Sequence, residues 1–480
     1  MLQAFLNVFK IAELRTKVLF TLGMLVVYRI GFWIPLPGID QSQLKDFMQS
    51  QSQSGGAFGR LADYVSVFSG GALGQSTIFG LGIMPYISAA IIFQLLQSVW
   101  PTLKKLKDEG PTGYQKIQEW TRYATVGLCI VQSFAWLSFI RGQGFVYAEW
   151  ASTPVWWVMS IAALTAGTVF LMWLGEQIDR YGIGNGVSLI IMAGILTGMP
   201  GAIMWVVNNS DIRTWMVVSW ILGEPADGFE PTMSLMGVII LAAAFVIVVG
   251  GSVLMTVAQR RIPIQQAKHT RGRKVYGGQR SYLPLRVNHG GVMPIIFASS
   301  LMIFPSVILA QVASALGSME GGGGWLAVGV NWFSQQFDIG AYPYLLLEVL
   351  MIYFFAYFWI TVQFNPEEIS KQLRDHGSFI PGLRPGPRTA EYLETVMERL
   401  TYVGGAFLAV IAVMPMIVMR AMNIPFNVTQ FLGGTGLLIV VAVTLDFIQR
   451  IEANLLMRNY AGFLGGSAEG GAGKRIRGPR

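Results

Sequence analysis

The sequence predicts an all-α membrane protein of about ten spanning helices, arranged as two five-helix halves of opposite orientation. Three observations carry that prediction. Only 12% of the 480 residues are charged while 53% are apolar, and the mean hydropathy is positive; a soluble domain carries about 25% charged residues. Several apolar runs reach the roughly 20 residues that a helix needs to cross a hydrocarbon core of about 30 Å, where only helices and closed barrels satisfy their own backbone. Finally, glycine- and proline-interrupted stretches recur at matching places five spans apart.

The chain opens on an amphipathic stretch, 1–17, with Leu2, Phe5, Leu6 and Phe9 on one helical face. No small-residue cleavage site follows the first long apolar run, so that run is read as a retained span. Spans are expected at 18–34, 77–99, 121–140, 155–174, 187–207, 235–257, 291–309, 344–362, 402–419 and 435–451. Residues 18–207 form the first half and 235–453 the second, with 208–234 as the outer loop between them. Residues 454–480 form a basic Gly-rich cytoplasmic tail, and the Gly/Arg-rich part after Gly462 reads as disordered.

The interruptions give the halves their orientation. Gly82-Ile83-Met84-Pro85 opens the second span and Gly291-Val292-Met293-Pro294 the seventh. Gly184-Asn185-Gly186 precedes the fifth span and Gly434-Thr435-Gly436 opens the tenth. Five spans is an odd offset, so the two halves insert with opposite polarity, the signature of an inverted repeat with broken helices around a functional midplane. Between spans one and two, 55–76 carries a short apolar patch (Leu61, Tyr64, Val65, Val67, Phe68) followed by Gly70-Gly71. It is too short to span and reads either as a surface helix or as a re-entrant helix turned toward the bundle axis.

Charge sets the topology. Lys45, Arg60, Arg141, Arg213 and Arg420 lie in the loops placed outside and Arg29 in the first span; the other basic residues lie in the tails and the loops on the tails' side. The positive-inside rule puts both termini in the cytoplasm. Two cytoplasmic loops exceed topological need. The loop 259–290 holds Arg260, Arg261, Lys268, Arg271, Arg273, Lys274, Arg280 and Arg286 and no acid, whereas 363–399 mixes Lys371, Arg374, Arg384, Arg388 and Arg399 with acids around Pro381-Gly382 and Pro385-Gly386 turns. Contact with anionic phospholipid headgroups accounts for a basic loop, but loops of this length are usually functional or disordered.

Other chemistry is excluded. Nothing matches a P-loop, and Gly182–Gly186 precedes a membrane helix with no strand before it. The single cysteine, Cys129, rules out a disulfide framework, and His269, His289 and His376 show no metal-ligand spacing. No cofactor, metal or catalytic residue is expected, and the chain is not read as an enzyme. An ion-coupled transporter, the alternative class, needs an ionisable group near the midplane. Glu176 and Asp446 fall near cytoplasmic span ends, and Glu348 nearer an outer one. The broken spans offer instead the aliphatic residues Ile83, Ile87, Val187, Ile191, Ile296 and Ile439. Core packing explains most such residues; gathered at a waist they make a constriction that excludes ions by dewetting.

Ordered motifs along 14–451 resemble the SecY family, the central subunits of the bacterial Sec translocon. They are Arg29-Ile30-Gly31 with Ile34-Pro35 and Pro37-Gly38-Ile39-Asp40, then Phe68-Ser69-Gly70-Gly71-Ala72-Leu73 and GLGIMPYISAAIIFQLL over 80–96. Met172-Trp173-Leu174-Gly175-Glu176-Gln177-Ile178, Gly182 through Gly186, Leu283-Pro284-Leu285, Phe297-Ala298-Ser299-Ser300, Phe364-Asn365-Pro366 and Pro381-Gly382-Leu383-Arg384-Pro385-Gly386 continue the match. The resemblance implies two halves clamped around an hourglass pore, with Ile83, Ile87, Val187, Ile191, Ile296 and Ile439 as its ring. It implies a plug helix over about 59–73, ending on Phe68, Ser69, Gly70, Gly71, Ala72 and Leu73. It implies a lateral gate lined by Gln94, Asn288 and Phe304 that passes signal sequences and membrane helices into lipid. Arg260, Arg261 and Arg384 are then the docking residues for the motor ATPase SecA or the ribosome, and the small subunits SecE and SecG are partners. Val187 replaces the usual isoleucine, and Glu348, Pro387-Arg388 and the tail after Gly462 depart from the family pattern.

Overall fold

A computed structural model describes residues 11–47, 76–211, 233–302 and 341–465, less 45, 152, 300, 423, several positions in 267–279 and several in 426–433, with fragments of 312–337. The first helix, α1 (Ala12–Gly31), runs without a break through the expected boundary at residue 17; residues 1–10 lie outside the described set.

Proline starts most of the helices that follow, because its missing N–H is one that the first turn leaves unpaired anyway. α2 is Met84–Val99, with Pro85 in its first turn. Trp100, held extended ahead of Pro101, turns the chain by 99° into α3 (Pro101–Asp108). After Gly110, at φ +80°, come α4 (Pro111–Gly142), the short α5 (Ala148–Ala151), α6 (Pro154–Tyr181), α7 (Gly186–Asn208) and α8 (Leu235–Val257). At the seventh expected span the described helix covers 293–299 and 301–302. Then follow α9 (Tyr342–Gln363), α10 (Pro366–Asp375), α11 (Pro387–Met422) and α12 (Thr435–Gly465).

Six helical segments among the described residues are long and apolar enough to cross a membrane, and a seventh if the bent pair α2–α3 counts as one span. α1, with Glu13, Arg15, Lys17 and Arg29, and α12, with Asp446, Arg450 and Glu452, carry too much charge along their length to join them. Several helices outrun the apolar windows: α4 starts ten residues before its expected span and α11 fifteen.

The all-α expectation needs one correction. The loop 259–290 folds into strands β1 (Gln259–Gln266), β2 (His269–Arg271), β3 (Lys274–Tyr276) and β4 (Arg280–Arg286), and β5 (Ser378–Phe379) comes from the other long loop. The larger sheet has the order β4-β1-β5. β1 alternates with Ile262 and Ile264 buried, the period-two pattern of a half-buried strand. Pro263 and Pro284 interrupt that pattern in the sequence.

The main core joins α1, α2, α6–α9, α11, α12 and 293–299. A second core, around Leu36, Ile39, Phe145 and Trp156, ties the segment after α1 to the α4–α6 connection, and Trp156 Nε1 donates to the Pro37 carbonyl at 3.0 Å. A third lies beneath the sheet.

Candidate functional site

Backbone breaks put aliphatic side chains at the starts of four helical segments. Gly82 at φ +57° turns the chain into α2, leaving Ile83 at its cap and Ile87 one turn on. Gly184 at φ +103° does the same ahead of α7. There the Asn185 side chain accepts from Ser188 N at 3.0 Å, and Asp179 Oδ1 accepts from Gly186 N at 2.7 Å. Both bonds satisfy N–H groups that a first turn leaves open. Val187 and Ile191 follow four residues apart, on one helical face. Gly291, at φ +59°, precedes Ile296, and Ile439 lies in the first turns of α12. Ile83, Ile87, Ile191, Ile296 and Ile439 are all buried in the main core, with Val187 partly buried against it.

The other predicted residues divide. Gln94 is partly buried in α2, and its Oε1 finds no partner among the described residues. Asn288 Nδ2 donates to the Gly291 carbonyl at 3.0 Å, bracing the turn into 293–299. Phe304 and the plug residues Phe68, Ser69, Gly70, Gly71, Ala72 and Leu73 lie outside the described residues. Beside Asn288, His289 packs edge-on to Phe364 with ring centroids 5.9 Å apart. Burial, and then the nearby Arg286 charge, push its imidazole below the usual histidine range.

The two long loops make one body. β1 pairs antiparallel with β4, setting Arg260 opposite Leu285 and Arg261 opposite Pro284, and with β5 through Gln265 and Phe379. Beneath them Ile262, Leu285, Phe364, Ile380, Leu393, Val396 and Met397 form a buried core drawn from both loops. Arg260, Arg261 and Arg384 are exposed on it. The turn that presents Arg384 is pinned: Gly382 and Gly386 take φ +87° and +135°, Ser370 Oγ donates to the Gly386 carbonyl at 2.8 Å, and Thr389 Oγ1 donates to the Arg384 carbonyl at 2.9 Å.

Of the acids weighed as ion-coupling sites, Glu176 is held by Arg122, whose Nε and Nη2 both stand 2.8 Å from its Oε1, joining α4 to α6. Asp446 pairs with Arg450 one turn on, at 2.8 Å. Glu348 is 2% exposed, and its Oε2 has no partner among the described residues. No group of three or more metal-ligating side chains occurs among the described residues. The Asp179 cap of α7 escaped the sequence reading, although an Asp in the last turn of one helix, closely followed by a Gly-rich turn into the next, is a signal for it. Arg122 as the partner of Glu176 left no local signal, since the two lie 54 positions apart.

A sequence model of the SecY family matches residues 77–448. The chain is 40% identical over 478 residues to the protein translocase subunit SecY of Streptomyces coelicolor, covering 97% of this chain and 100% of the relative. It is 39% identical over 457 residues to that of Escherichia coli, covering 94% of each. A solved structure described as a protein conducting channel shares the fold at a TM-score of 0.57 with 18% identity, over 95% of this chain and 94% of that one. Sec61 in a canine ribosome–channel complex does so at 0.53 with 17% identity, over 95% and 94%. With relatives aligned nearly end to end and several long apolar helices, the chain is a multi-pass membrane protein that belongs to the SecY family of protein translocase subunits.

Proposed function

We propose that this chain is the central subunit of the channel through which unfolded secretory proteins cross the bacterial cytoplasmic membrane, and from which membrane helices leave sideways into lipid. Ten spans in two inverted halves, 18–207 and 235–453, surround an hourglass pore with both termini in the cytoplasm. The chain supplies the path, while the motor ATPase SecA or a translating ribosome supplies the drive, and SecE and SecG complete the assembly.

The observation that carries this reading is that Ile83, Ile87, Ile191, Ile296 and Ile439, each at the cap or in the first turns of its helical segment, are all buried within the main core that joins both halves of the chain. A dry aliphatic waist closes to ions by dewetting and offers no polar site to a small solute. A short plug at about 59–73 seals the outer funnel, and the sideways exit runs past Gln94, Asn288 and Phe304. Arg260, Arg261 and Arg384 dock the drive, because a guanidinium stays charged and pairs bidentately with carboxylate or phosphate. The basic loops also rest on anionic phospholipids. Glu176 is paired with Arg122 and Asp446 with Arg450, so neither acid stands as a free ion-coupling carboxylate.

The test is export of a radiolabelled secretory precursor into proteoliposomes that hold this chain with its SecE and SecG. Protease-protected precursor that requires both SecA and ATP establishes the reading. No protected precursor under any condition, with small solutes equilibrating down an ion gradient, overturns it.

A further inference from the structure

The end of α9 that leads into α10 is capped from the other half of the chain. Lys107 Nζ, at the end of α3, donates to the carbonyl oxygen of Val362, 3.5 Å away and 255 positions further on. Val362 lies in the last turn of α9, whose carbonyls have no partner within the helix and carry the negative end of its dipole. Phe364 N takes the Ile360 carbonyl, and α9 has no basic residue of its own in that turn. The cation that the helix end favours therefore comes from α3.

Lys107 lies on a helix held against its neighbours. At Trp100-Pro101 the chain turns 99° between α2 and α3, and Leu103 is buried. A Cβ on Gly113 would stand 1.7 Å from the Leu106 carbonyl oxygen, so the backbone of α3 rests directly on the first turn of α4. The Lys107 side chain is itself exposed. Any motion that carries α2, α3 and α4 together away from α9 must first break its contact with Val362.

We propose that Lys107 is a latch, whose ammonium group caps the C-terminus of α9 from the opposite half and biases the sideways exit toward its closed state. The inference rests on the sideways exit proposed above. A precursor that opens this exit and draws α3 away from α9 breaks one exposed charge–dipole contact, a small barrier that salt weakens.

The test measures the distance between spin labels at Tyr114→Cys and Glu367→Cys, both exposed positions, in a Cys129→Ala background. The full chain is reconstituted with its partner subunits. Lys107→Met is expected to raise the long-distance population of the resting channel by about two- to fivefold. Lys107→Glu should raise it at least as far, and Lys107→Arg should keep the wild-type distribution. High salt should bring the wild type toward Lys107→Met. If the wild type lengthens on engaging a stalled precursor while Lys107→Met and Lys107→Glu leave the resting distribution unchanged, the latch is refuted and the exit stands. If the wild type does not lengthen with a stalled precursor, the sideways exit fails and the latch with it.

Discussion

In the cluster that gathers Ile83, Ile87, Ile191, Ile296 and Ile439, each candidate residue is buried and uncharged. In the body that carries Arg260, Arg261 and Arg384, each candidate is exposed and charged, and only the scaffold beneath is buried. In the roles proposed above, the first region would work by what it keeps out, so side-chain volume and dryness would matter more than identity; Val187, one methylene short of isoleucine, is partly buried there. The second would work by what it holds, so the shape of the charged group would matter. Exchange among aliphatics should be mild in the first region. Exchange of Arg for Lys should not be mild in the second, since lysine loses the planar fork.

Charge reversal on the sheet-bearing body tests the contrast between the two regions most strongly. Arg384→Glu should lower SecA- and ATP-dependent export into proteoliposomes by more than about tenfold, because truncating or reversing a hydrogen-bonded interfacial charge costs several kcal/mol. The substitution lies on an exposed turn whose backbone is held by Ser370 and Thr389, so the amount of folded protein in the membrane should not change. Export at the wild-type rate would remove Arg384 from the docking surface.

At the waist the matching change is polarity without charge. Ile191→Ser with Ile296→Ser should wet the constriction, and resting ion conductance across a planar bilayer should rise several-fold, as a hydrophobic gate that conducts once hydrated requires. Ile191→Leu with Ile296→Leu should leave it closed. Equal conductance in wild type and the double-Ser variant would return these residues to ordinary core packing.

Six of the ten expected spans, and a seventh if the bent pair α2–α3 counts as one, were legible because apolar length is a strong signal that one sequence carries alone. Their ends were not. α11 enters the sheet-bearing body as one helix from Pro387, and hydropathy does not register the polar turns that hold Glu391, Glu394 and Glu398. The ring candidates were visible as aliphatics beside Gly/Pro breaks, whereas their meeting in one cluster depends on packing among segments hundreds of residues apart. The sheet was half legible: Ile262, Ile264, Leu283 and Leu285 keep a period of two, but prolines among them read as loop. The β1–β5 pairing that joins the loops spans more than a hundred positions and left no local trace.

The glycine turns ahead of the aliphatic helix starts make a smaller, separable prediction. A Cβ on Gly186 would stand 2.0 Å from the Gly175 carbonyl oxygen, a backbone atom that cannot swing away. Gly186→Ala should therefore cost about 1–3 kcal/mol, the usual penalty of overpacking, and lower the thermal midpoint in detergent micelles. On α4, a Cβ at Gly127 meets nothing within 4 Å, so Gly127→Ala should be neutral or slightly stabilising through its better helix propensity. Equal midpoints for the two variants would mean that α6 and α7 are not in the backbone contact described.

The smallest expected effect lies where the two regions meet, at His289, between the sheet and the turn into 293–299. Burial and the Arg286 charge lower its folded-state pKa below the ordinary value, so the folded protein holds the imidazole neutral while the unfolded chain titrates near about 6.5. Between the two values the unfolded chain binds more protons, and stability therefore falls as pH drops below about 6.5 toward the folded-state pKa. Above about 6.5 both states are neutral and the dependence vanishes. Thermal midpoints recorded from about pH 5 to about pH 8 should show the wild type losing stability on the acid side relative to His289→Gln, with a constant offset above neutrality. Parallel profiles across the whole range would mean that His289 is as well solvated in the fold as in the unfolded chain, and that the joint between sheet and waist is open to water. A divergence on the acid side alone would make that joint part of the dry region, extending it from the aliphatic residues to the sheet.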